Sequence, residues 1–153
     1  NMRLADLELI DPQEKKERLA VLAELQTWIG TPYHHLARVK GAGVDCVQLL
    51  IGVYQGAGLI GKVETGEYSR TWHLHQNEEK YLERLMPWAK PTDNPLPADI
   101  ALFTFGRTVS HAGILVDYPV MIHSYFDSGV KIEEITSGRL GKRFYGYYSF
   151  WGK

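Results

Sequence analysis

The chain has 153 residues, 44% of them apolar, which is the size and core content of one compact domain over residues 2–153. Seventeen Lys and Arg against 18 Asp and Glu leave a formal charge of −1, so there is no basic field to attract nucleic acid and no acidic tail. A lone cysteine excludes an intramolecular disulfide framework, and the sequence has neither a signal-peptide-like apolar run nor a stretch approaching the ~18 apolar residues of a membrane span.

Asp11-Pro12-Gln13-Glu14 reads as a helix start, with Asp at the N-cap, Pro at the first helical position and Glu three residues past the cap. Leu19, Leu22, Leu25, Trp28 and Ile29 follow at three- and four-residue spacing and predict one buried stripe, closed by Gly30. Residues 31–44 carry no helical period and end in Gly41-Ala42-Gly43. Asp45 then caps a predicted helix that runs to about Ala57, with Leu49, Leu50, Val53 and Tyr54 inward and Gly58 as the stop. Gly52 within it costs about 1 kcal/mol relative to Ala, which predicts close packing against a neighbouring element.

Residues 59–75 read as irregular, 77–86 as a short helix, and 88–97, with Pro91, Pro95 and Pro97, as a surface connection. Four β-prone runs follow, predicted over 100–105, 112–116, 120–125 and 130–135, and the aromatic run 144–151 supplies another. Helices first and a strand meander second predict an α+β domain with an antiparallel sheet.

Cys46 opens the second predicted helix. The first turn of a helix offers unpaired N–H groups and the positive end of the macrodipole, and cysteine pKa values there fall from about 8.5 to roughly 3.5–7.5 when a histidine assists. A thiol nucleophile needs a base to take its proton, and the base needs a third polar group to hold its tautomer. His111 begins one predicted strand and His123 lies in the next. A turn centred near Asp117 places the two opposite each other, which suits base and orienter. Taken singly, each reads as an ordinary hydrogen-bonded sheet histidine, and Cys46 as a small buried hydrophobe; only together do they point to nucleophilic catalysis.

The other candidates carry less. His34 and His35 are adjacent and read as loop contacts. His73 and His75 alternate onto one face as a metal pair would, but no carboxylate or cysteine pattern accompanies them. Trp72, Trp88 and Trp151 read as core or groove wall, and the segment from Glu67 to Trp72 as a substrate-facing loop.

Gly30-Thr31-Pro32-Tyr33, Val44-Asp45-Cys46, Asp99-Ile100-Ala101-Leu102-Phe103, Ser110-His111-Ala112-Gly113-Ile114 and Met121-Ile122-His123-Ser124, in that order, resemble the NlpC-type cell-wall cysteine peptidases. The resemblance spans roughly Gly30 to Tyr125, and the basic, Gly-containing segment Arg38-Val39-Lys40-Gly41-Ala42-Gly43 is similar to the phage-encoded branch. It implies a papain-like α+β fold, with N-terminal helices packed on a central antiparallel sheet of about five to six strands. It implies Cys46 as nucleophile, His111 as general base, His123 as the third polar residue, and Tyr33 and Asp45 at the substrate or oxyanion.

The implied reaction is hydrolysis of a peptide bond in bacterial peptidoglycan stems, commonly the γ-D-glutamyl bond to diaminopimelate or lysine, with no metal or organic cofactor. The implied partners are the stem peptides and, for a phage enzyme, tail proteins. The expected location is a virion tail, or the cytoplasm until delivery to the wall. Three departures stand out: Val47-Gln48 replaces the usual Ser-Gly after Asp-Cys, Ala98 replaces the usual Gly before the Asp, and His34-His35-Leu36-Ala37 replaces paired glycines after the Tyr. None removes a catalytic group. The same Cys/His chemistry also fits a thiol amidase or acyltransferase on this fold, or a tail-assembly module with idle catalytic groups.

Overall fold

The computed structural model describes residues 3–61, 89–136 and 138–151. The predicted helix at 77–86, His73, His75, Trp72, Trp88 and the segment from Glu67 to Trp72 lie outside the described residues.

A 3-10 turn, Leu4–Leu9, precedes helix α1, Pro12–Gln26. The Asp11 carboxylate accepts the Glu14 N–H at 3.1 Å, the expected cap. The buried stripe of α1 is Arg18, Val21, Leu22 and Leu25, continued by Trp28 beyond the helix. Leu19 and Ile29, expected on that stripe, are 44% and 40% exposed. The helix stops at Gln26, and at about 100° per residue Leu19 lies one step off the face that Arg18, Val21, Leu22 and Leu25 share. Gly30 takes a φ of +88°, a left-handed conformation that glycine adopts freely, and closes the turn.

Arg18 on this stripe needs partners, because a buried charge without them is costly. Its Nε donates to Glu14 at 2.8 Å, and its Nη1 donates to the Pro97 carbonyl at 3.0 Å and lies 2.9 Å from Asp99 Oδ1. Burial pushes the Asp99 carboxyl above its usual range, against the opposing pull of the Arg18 guanidinium. The two charges clamp α1 to the entrance of the sheet.

Helix α2, Cys46–Gly56, is buried at every residue from Cys46 to Tyr54. A helix apolar on all sides belongs in the middle of a fold, and α2 packs between α1 and the sheet. The close approach expected at Gly52 is present, since a Cβ there would stand 2.7 Å from the Trp28 ring.

Two short strands, β1 (Arg38–Val39) and β2 (Gly43–Val44), pair antiparallel just before α2. The main sheet holds β3 (Lys90–Pro91), β4 (Ile100–Phe105), β5 (Thr108–Asp117), β6 (Val120–Tyr125), β7 (Gly129–Glu134) and β8 (Phe144–Ser149). A one-turn helix, α3 (Gly138–Gly141), leads into β8. The six strands are antiparallel in the order β3-β8-β4-β5-β6-β7. Alternate residues of the central strands serve two cores. Ile100, Leu102, Ile114 and Ile122 join the cluster around α2, while Ala101, Phe103, Leu115 and Met121 pack with Leu140.

The β5–β6 hairpin departs from the expected register. Ile114 opposes Ile122 and Leu115 opposes Met121, with an irregularity between Leu115 and Asp117. Continuing that register sets His123 opposite Gly113 rather than opposite His111. The slip of two residues keeps both histidines on one face, because side chains alternate with period two.

Candidate active site

The start of α2 is fixed by Asp45. Its Oδ1 accepts the Gln48 N–H at 2.8 Å and its Oδ2 accepts the Leu36 N–H at 2.9 Å, with His35 Nδ1 4.0 Å away. A carboxylate read from sequence as facing substrate or oxyanion is thus buried and bonded to two backbone amides, and it holds the loop after Tyr33 against the helix. The Leu36 backbone there has a φ of +68°. Gly43 permits the tight return of this loop, since a Cβ on it would stand 2.6 Å from the His34 Cβ. Cys46, the first residue of α2, is buried, and its thiol donates to the Ser110 carbonyl at 3.8 Å, a sulfur-length bond. The next residue after Ser110 is His111.

The two histidines are joined directly, His111 Nε2 to His123 Nδ1 at 2.7 Å. Gly113 explains how a diagonal pair can meet. A Cβ added at Gly113 would stand 2.3 Å from the Met121 Sδ and 3.1 Å from the His123 Cβ, so the glycine leaves the room that Met121 and His123 use beside it. His123 Nε2 in turn bonds Glu133 Oε1 at 2.8 Å, and Lys131 Nζ lies 3.5 Å from that same oxygen. Burial lowers the His123 pKa below its usual 6.5, more than the Glu133 bond and charge raise it. Glu133 carries no motif of its own. Its signal in the sequence is the alternation of Lys131 and Glu133 along a strand whose register sets Lys131 opposite His123.

A cleft of about 350 Å³ opens over these groups, lined by Tyr33, His35, Phe105, Ser110, His111, Ser124 and Tyr125. Phe105 and Tyr125 stand edge-on to the His111 ring at 6.0 and 5.4 Å. Tyr33 and His111 therefore face the cleft and His123 is fully buried behind His111, while Cys46 is buried outside the cleft lining and bonded to the carbonyl of Ser110, which does line it. Among the described residues, no cluster of three or more His, Cys, Asp or Glu side chains could hold a metal ion, and no helix is long and apolar enough to cross a membrane.

The sequence pattern of the NlpC/P60 family matches residues 30–149. Solved structures agree in fold. One is a protein from Staphylococcus aureus subsp. aureus Mu50, described as similar to a lipoprotein of the NLP/P60 family: 15% identity, TM-score 0.64, covering 94% of this chain and 43% of that one. Another is an NlpC/P60 family protein from Bacillus cereus ATCC 10987: 18% identity, TM-score 0.61, covering 85% and 39%. A third is the peptidoglycan hydrolase RipB of Mycobacterium tuberculosis: 11% identity, TM-score 0.55, covering 94% and 69%. The chain spans less than half the length of the first two. No curated protein sequence matches it significantly.

Proposed function

Because the chain belongs to the NlpC/P60 family, we propose that it is a cysteine peptidase that cuts peptide bonds in bacterial peptidoglycan stems. The observation that carries this reading is a thiol at the first position of a buried helix, bonded to the residue before a histidine that is itself bonded to a second histidine. Cys46 is the nucleophile, His111 the base and His123 the group that orients it. His111 takes the thiol proton, the thiolate attacks the scissile carbonyl, and the Cys46 backbone N–H at the open end of α2 stabilises the oxyanion. His111 then protonates the leaving amine and activates water for deacylation. Tyr33 borders the cleft in which the stem lies. Asp45 acts on that site by fixing the loop behind Tyr33.

The finer assignment, a cut at the γ-D-glutamyl bond to diaminopimelate or lysine by a phage-delivered enzyme with tail proteins as partners, is supported by the sequence resemblance and by the basic segment from Arg38 to Gly43. The test is digestion of purified sacculi followed by mass spectrometry. Fragments cut within the stem peptide, with glycan strands intact and no effect of EDTA, are expected. Cleaved glycosidic bonds, a transferred acyl group, or no product from a folded protein with a reactive Cys46 would overturn the peptidase reading.

A further inference from the structure

We propose that Glu133 is a positioning residue that selects the proton tautomers of both histidines, acting on His111 through His123. An ionised carboxylate only accepts hydrogen bonds. Its 2.8 Å contact therefore requires His123 to carry a proton on Nε2. A neutral His123 with that proton has a lone pair on Nδ1, so the 2.7 Å contact requires His111 to donate from Nε2. The lone pair of His111 is then on Nδ1, which is the form a general base needs.

Each bond in the row dictates the next, and only the carboxylate end is chemically unable to reverse. Without it, the pair reads equally well backwards. His123 would donate from Nδ1, His111 would accept on Nε2, and the His111 proton would move to Nδ1, where a base needs its lone pair. Burial keeps His123 neutral and so preserves its acceptor nitrogen. The groups that set this balance are His111 on β5, Lys131 and Glu133 on β7, Asp127 in the turn before β7, and the Tyr125 ring 5.5 Å from His123. Lys131 Nζ, 3.5 Å from Glu133 Oε1, sets a cation beside that carboxylate.

The catalytic consequence rests on the peptidase reading; the tautomer assignment does not, and the experiment separates them. Imidazole 15N shifts of histidine-labelled protein at neutral pH are expected to show both rings protonated on Nε2 in the parent. In Glu133→Gln, whose amide can donate as well as accept, Nδ1-protonated forms should appear on both. The same variant should lose turnover by about ten-fold or more, up to the ~10⁴-fold known for a carboxylate-to-amide change in direct contact with a catalytic histidine. Glu133→Asp, which keeps an accept-only group one methylene short, should retain more activity than Glu133→Gln and keep the parental tautomers. Unchanged tautomers in a folded Glu133→Gln would overturn the proposal even if sacculi are cut. Shifted tautomers in a chain that cuts nothing would uphold it and count against the peptidase reading instead.

Discussion

Ser124 Oγ donates to the Val44 carbonyl at 2.8 Å, joining the strand that carries His123 to the residue two positions before Cys46. The bond spans the seam between the helix that begins at Cys46 and the sheet that carries both histidines. A hydroxyl on the residue after His123 thereby reports on whether the two halves of the site are in alignment.

Removing that hydroxyl should affect rate more than fold. The Val44 carbonyl also accepts the His34 N–H at 3.3 Å, so Ser124→Ala leaves it partnered and should cost about 0.5–1.5 kcal/mol in urea unfolding. Misplacement of reacting groups by 1 Å can cost ~10²-fold in rate, and a kcat loss of roughly ten-fold with little change in KM is expected. An unchanged kcat in steady-state assays would reduce the bond to a structural role.

The two histidines should differ in weight. His111→Ala loses both base assistance and leaving-group protonation, and proton transfer alone is typically worth 10²–10⁴-fold, so nearly all turnover should go. His123→Asn and His123→Gln should keep more activity than His123→Ala, because an amide oxygen can still accept the His111 N–H. Circular dichroism first establishes that each variant is folded. A folded His111→Ala with parental turnover would refute the division of roles.

His123 also gives stability a pH dependence. Burial holds its native pKa below 6.5. As pH drops through 6.5 the unfolded chain takes up a proton that the native state refuses, so the stability present above that pH is progressively lost until the lowered native pKa is passed. Urea unfolding at about pH 7.5 and about pH 5.5 should show a larger loss for the parent than for His123→Asn, which has no imidazole to titrate. Equal losses would mean that burial does not depress His123.

Ala98 occupies a backbone position suited to glycine. Its φ is +84°, its side chain is fully buried, its N–H donates to the Leu115 carbonyl at 2.8 Å and its carbonyl accepts the Tyr54 hydroxyl at 2.6 Å. The left-handed conformation costs an L-residue about 1–2 kcal/mol. Glycine would relieve this, but it adds about 0.4–1 kcal/mol of unfolded-state freedom and deletes a buried methyl worth about 0.8 kcal/mol. These terms nearly cancel, so Ala98→Gly should fall within about 1 kcal/mol of the parent in thermal unfolding, although it empties a core position. Ala98→Val, branched at Cβ in the same conformation, should cost well over that amount.

The sequence discloses most of this site because its signals are local. A cap at Asp45, a helix beginning at Cys46 and strands β4, β6 and β7 matched within a residue come from short-range periodicity and capping chemistry, whereas β5 starts four residues before its predicted run. What escapes has a common cause. Strands β1 and β3 are two residues long and have no period to detect. The stripe of α1 is misread because its key member is a charged Arg18, silent until Asp99, just before the distant strand β4, supplies its partner. Glu133 likewise gains its meaning only when the β6–β7 register brings it near His123, and the β5–β6 bulge that sets His123 against Gly113 instead of His111 leaves no clear mark in the residues. The family departures at Leu36 and Ala98 turn out to be the described non-glycine residues with positive φ, so the fold keeps its backbone path there without the residue that would adopt it most easily.

The Arg18–Asp99 clamp bears on where this protein can be cut for laboratory work. The family pattern begins at residue 30, yet Asp99 lies within it and Arg18 before it. A fragment trimmed to the recognisable segment would lose Arg18 together with Val21, Leu22 and Leu25, uncovering both Asp99 and the apolar face of the α2 core that these residues bury. The first helix is therefore part of the minimal expressible unit, and a vector boundary belongs upstream of Asp11 rather than at the edge of sequence similarity.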